Sequence, residues 1–124
     1  MRFMMLVIPN GYEKAPPGTL PDARLVEAMT KYNESLTKAG VLLALDGLHP
    51  PSMGARVTFA GEKPKVTDGP FAEAKEVIGG YAVYEVKSKA EAIEWATRFM
   101  NLHKQHWPGW EGETELRQLM EFGG

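Results

Sequence analysis

Cysteine is missing from all 124 positions, and that absence excludes disulfides, thiolate metal ligands and a cysteine nucleophile. It also fits a reducing compartment, so a cytoplasmic location is expected. A basic surplus is missing too: 14 Lys and Arg stand against 16 Asp and Glu, for a formal net charge of −2. Lysines such as Lys38, Lys63, Lys75, Lys89 and Lys104 are scattered among acids, without the footprint of a nucleic-acid binder. Nor is there a long apolar run. The N-terminal stretch Phe3 to Ile8 is stopped by Pro9-Asn10-Gly11, well short of the ~18 residues a membrane span takes. No small-residue cleavage site follows it, as a signal peptide needs. There is no phosphate-cradling glycine loop, dinucleotide fingerprint or serine-centred elbow. Neither an organic cofactor nor α/β-hydrolase chemistry is therefore expected.

What is present is ordinary globular material, with 44% apolar and 24% charged residues, which disfavours disorder and suggests one domain over residues 1–124. Phe3 to Ile8 is apolar at every position, the pattern of a strand covered on both faces. Thr19-Leu20-Pro21-Asp22 reads as a helix start with Thr19 as N-cap, and Leu25, Met29, Tyr32 and Leu36 form one apolar stripe. Gly40 is its stop signal, so an amphipathic helix over about Asp22 to Ala39 is expected. Val41 to Leu45 reads as a second strand, and Leu48-His49-Pro50-Pro51 as a stiff irregular connection. Arg56 to Ala60 and Lys63 to Thr67 flank Gly61-Glu62, which suits a hairpin with a two-residue turn. A single helical turn at Ala72 to Glu76 precedes a strand over Gly80 to Val86. Ser88-Lys89-Ala90-Glu91 is a capping box for a second helix to about His103, with Ile93, Ala96, Phe99 and Met100 as its buried stripe. Thr114 to Phe122 alternates like a half-exposed strand.

Strand, helix, strand, hairpin, strand, helix, strand is two split βαβ units with an insertion. The expected fold class is α+β, a ferredoxin-like βαββαβ sandwich with an inserted hairpin. Right-handed crossovers put both helices on one face of a four-stranded antiparallel sheet, with the first and third main strands central. The other face is left open. An identical sheet from a second chain is its simplest cover, so a homodimer is expected, with a pocket between sheet and loops.

The middle of the chain holds the candidate site. Asp68-Gly69-Pro70-Phe71-Ala72-Glu73-Ala74-Lys75-Glu76, followed by Gly79-Gly80-Tyr81, sets a turn, carboxylates and a lysine between apolar runs. At these residues the chain resembles the YCII-related superfamily, in its DGPF-motif branch. The likeness covers nearly the whole sequence, including the Met-rich first strand and Leu48-His49-Pro50-Pro51. It implies a dimeric α+β barrel of ferredoxin-like protomers and a catalytic His–Asp pair. Asp68 stands at the motif's aspartate, and His49, between the second strand and the hairpin, is the residue that would supply the histidine.

A carboxylate beside an imidazole fixes its tautomer and leaves the other nitrogen to move protons near neutral pH, which would make His49 the acid/base and Asp68 its orienter. The plain reading of Asp68 is a turn cap accepting the Phe71 N–H, since Pro70 has none to offer. Arg56, Phe71 and Tyr81 are the candidate ligand-binding residues, although a surface arginine and a packing phenylalanine are the ordinary readings of the first two. Glu73, Lys75 and Glu76 read as a solvated turn, and Gly79 and Gly80 as a bulge or a close approach of chains. His103 and His106, three apart at a helix end, have a chelating spacing but no third ligand, so no metal is expected. Trp95, Trp107 and Trp110 read as seals at a helix–loop junction. Two function classes stand open: a small-molecule enzyme using His49 and Asp68, or a non-catalytic dimeric module binding a small ligand or a protein partner.

Overall fold

The computed structural model describes residues 1–59, 61–71 and 77–122, and the expected helical turn at Ala72 to Glu76, with Glu73 and Lys75, lies outside them. Six strands and two α-helices follow in the order β1 (Arg2–Pro9), α1 (Ala23–Lys38), β2 (Leu42–Gly47), β3 (Ala55–Phe59), β4 (Pro64–Asp68), β5 (Gly80–Glu85), α2 (Lys89–His106) and β6 (Gly112–Gln118). The architecture is mixed α+β. Strands β2, β5, β1 and β6 form one antiparallel sheet in that order, while β3 and β4 pair only with each other.

The two inner strands are β1 and β5. In β1, Phe3, Met5 and Val7 are buried and join Ala82 and Tyr84 of β5 in one core with Tyr32, Leu36, Ala92, Ala96 and Phe99 of the helices. Both helices thus pack on this one face. Met4, Leu6, Ile8, Tyr81 and Val83 alternate onto the opposite face and are half-buried within the single chain. The expectation that β1 is covered on both faces is therefore not met by the chain alone.

Helix α1 begins later than the expected cap at Thr19. Asp22 is the N-cap and accepts the Arg24 N–H at 2.8 Å, while the Thr19 hydroxyl donates to the Pro16 carbonyl at 2.6 Å. Pro21 explains the shift, because it biases Leu20, the first helical residue after a Thr19 cap, towards extended geometry. The cap of α2 is the expected one, with Glu91 N–H on Ser88 Oγ at 3.1 Å. Its buried stripe differs. Ala92, Ala96, Phe99 and His103 face inward, whereas Ile93 is exposed. Ala96 and Phe99 are thus buried as expected and Met100 packs against the core, while Ala92 and His103 take the inward places and Ile93 falls outside them.

The hairpin pairs Ala55 with Asp68, Val57 with Val66 and Phe59 with Pro64, so Lys63, expected in the second strand, lies before β4. Every residue of β3 and β4 is exposed. The far end of the chain is also less structured than expected, since β6 stops at Gln118 and Met120 and Phe122 are exposed.

Candidate binding cavity

A cavity of about 450 Å³ opens where the ends of β1 and β2 meet the start of β5, roofed by the N-terminal half of α1 and the last turns of α2. Its inner wall is apolar: Met5 and Val7 rise from the sheet, Leu25 and Met29 descend from α1, and Phe99 comes from α2. Burial grades outward to a polar mouth at Tyr12, Asp46, His49 and Tyr81, where Asp46 and His49 are exposed.

Local chemistry builds that mouth. Gly79 donates its N–H to the Val7 carbonyl at 2.7 Å, and its own carbonyl takes the Leu48 N–H at 2.9 Å. A Cβ at Gly79 would stand 2.8 Å from Pro9 Cγ, so only glycine lets the three strand ends draw together. The reading of this position as a close approach holds. Tyr12 then reaches across from the loop after β1 to donate its hydroxyl to the Leu48 carbonyl at 2.5 Å. Burial raises the Tyr12 pKa. Register sets Asp46 opposite Tyr81, whose hydroxyl donates to Asp46 Oδ2 at 2.9 Å. That bond and the carboxylate's charge raise the Tyr81 pKa, so the phenol stays protonated near neutral pH.

Deeper in, His103 is only 7% exposed. Its Nδ1 lies 3.0 Å from the Phe99 carbonyl, and its ring is held between those of Phe99 and Trp110, each with centroids 4.4 Å away. Burial lowers its pKa, with the Phe99 bond opposing. The ring is therefore neutral near pH 7, and because a carbonyl can only accept, the proton sits on Nδ1. Asn33 of α1 also lines the cavity, and its Oδ1 is buried with no hydrogen-bond partner.

Of the residues singled out by sequence, His49 and Tyr81 line the cavity, whereas Asp68, Arg56 and Phe71 are not among its walls. Asp68 ends β4 with an exposed side chain. Among the described residues none donates to its carboxylate, neither His49 nor the Phe71 N–H of the expected turn cap. Arg56 lies over the Phe71 ring, 4.1 Å from its centroid, which locks the hairpin's base to the chain beyond the turn. The motif's glycine has a clear structural reason. Gly69 donates to the Gly54 carbonyl at 2.8 Å, and a Cβ there would fall 1.6 Å from the Pro51 carbonyl oxygen. The segments that carry His49 and Asp68 are thereby stitched side by side through backbone.

Sequence reading missed Tyr12, Asn33 and Asp46, and treated His103 as a helix-end residue. A signal for His103 did exist: Ala92, Ala96, Phe99 and His103 share one helical face. Asp46 looked like a strand terminator, and only its register against Tyr81 gives it a partner. Among the described residues no group of three or more His, Asp or Glu is arranged to hold a metal ion, and no helix is long and apolar enough to cross a membrane.

Comparison with known proteins adds a family. The family model described as the YCII-related domain matches residues 1–107. Among curated proteins, the chain is 28% identical over 98 residues to Uncharacterized protein R00369 of Rhizobium meliloti (strain 1021), covering 79% of this chain and 75% of that one.

Proposed function

The chain belongs to the YCII-related domain family, and from that premise we propose that it binds a small organic molecule in the cavity beneath α1 and α2, as a homodimer of the family's DGPF-motif branch. The observation that carries this reading is the cavity itself, about 450 Å³ with apolar walls and a few convergent polar groups. That size and make-up suit a small organic ligand. The homodimer reading is supported by the half-buried face of Met4, Leu6, Ile8 and Val83. Two such faces laid together would make a dimeric barrel of ferredoxin-like protomers and bring a partner beside Asp46 and Tyr81 at the mouth.

Ligand-induced stabilisation tests the binding reading. A neutral fragment held at 100 times its Kd should stabilise the protein by about 2.7 kcal/mol. Met29→Trp, which puts a larger ring into the cavity, should weaken or abolish that gain while leaving the fold intact. A fragment that stabilises both forms equally binds elsewhere and defeats the proposal.

A second reading keeps acid/base catalysis, with His49 as the proton-transfer group and Asp68 as its orienter. It is supported by His49 at the cavity mouth and by the Gly69 contact with the segment after His49. Titration of His49 by NMR in the wild type and in Asp68→Asn decides it: coupled groups give a lower His49 pKa in the variant, and an unchanged value removes the pair.

A further inference from the structure

Most hydroxyl donors of the cavity-lining residues are already committed. Among the lining residues, the hydroxyls of Tyr12, Thr19, Thr30 and Tyr81 already donate to Leu48 O, Pro16 O, Val26 O and Asp46 Oδ2. Among the described residues, two acceptors in the lining stand without a partner. Asn33 Oδ1 is buried and unpaired. His103 engages Phe99 through Nδ1, and because the two imidazole nitrogens diverge across the ring, Nε2 faces away from its own helix with a lone pair to offer. Nothing described bonds that atom, in a residue that is 7% exposed and lines the cavity.

Charge narrows the ligand further. No Lys or Arg is among the described residues lining the cavity, and its one carboxylate, Asp46, sits at the mouth. A carboxylate or phosphate entering this apolar wall would lose its hydration without meeting a counter-charge. We infer that His103 is a ligand-recognition residue, accepting through Nε2 a hydrogen bond from a neutral organic molecule that carries a hydroxyl or N–H donor on an apolar body. The tilted rings of Phe99 and Trp110, with the Phe99 carbonyl on Nδ1, hold the imidazole in one orientation, so the acceptor is set before the ligand arrives. This inference rests on the cavity being the binding site.

The test compares three probes of one shape: 4-methylphenol, toluene and 4-methylbenzoate. Binding is followed at the Met5 and Met29 methyls and at the His103 imidazole nitrogens by NMR. The phenol is expected to bind about three- to tenfold more tightly than toluene, the worth of one neutral hydrogen bond, and to move the His103 Nε2 resonance. His103→Leu should erase the difference between the two. Equal binding of phenol and toluene at Met5 and Met29, or tightest binding of the benzoate, overturns the role of His103 while the cavity stands as a site. No shift at either methyl with any probe overturns both. Should His103→Leu fail to fold, the wild-type ranking and the Nε2 shift decide alone.

Discussion

Strand β1 and the β3–β4 hairpin both carry a row of large apolar side chains, and the molecule treats them in opposite ways. Phe3, Met5 and Val7 are 5%, 0% and 7% exposed, whereas Val57, Phe59 and Val66 are 70%, 70% and 66% exposed. Their sequences do not explain the contrast. Connection does: β1 has a strand on each side and two helices above it, while the hairpin has only itself. A lone two-stranded hairpin is marginal in water, so what fixes this one lies at its base, where Gly69 bonds Gly54 and Arg56 covers Phe71. Apolar pattern identifies strands. It does not say whether the chain itself supplies their cover.

Mutations can break or sharpen that contrast. Met5→Ala, at a fully buried core position, should lower stability by about 2–5 kcal/mol in urea unfolding. Gly69→Ala drives a methyl into the Pro51 carbonyl and should cost about 1–3 kcal/mol, with amide exchange rising in β3 and β4 but not in β1 or β5. A uniform rise across the sheet would mean that hairpin and core unfold as one unit. His103 contributes a slope instead of an offset. Burial lowers its folded pKa below the ordinary 6.5, so the unfolded chain takes up the proton first. Its contribution is present above about pH 6.5 and is lost as pH falls through that value towards the folded pKa. His103→Leu should flatten that part of the pH–stability curve. Val57→Thr, on the exposed hairpin, should change protomer stability by under about 0.5 kcal/mol.

The same contrast explains what was legible in the sequence. The Ser88 cap, the α1 stripe and the order of elements are written in neighbours three or four residues apart, and they stand as expected. The α1 cap shifted from Thr19 to Asp22 because a proline between them overrode a good capping pattern. Ile93 looked as buried as Phe99, but the inward face of α2 runs through Ala92, Ala96, Phe99 and His103 and leaves Ile93 exposed. The site itself was half visible. His49 and Tyr81 line the cavity, but Asn33, Asp46 and His103 reach it from three elements distant in sequence, where no local spacing connects them. The reason for Gly69 is likewise long-range, a carbonyl 18 residues earlier in the chain, at Pro51.

Methionine methyls supply the most direct test of the central claim that the cavity, not the hairpin, is the functional site. Met5 and Met29 line the cavity, and Met53 lies exposed just ahead of β3. With the methyls labelled and 4-methylphenol titrated in, saturable shifts are expected at Met5 and Met29 and none at Met53. Shifts confined to Met53, or an unmoved spectrum at saturating probe, would contradict it.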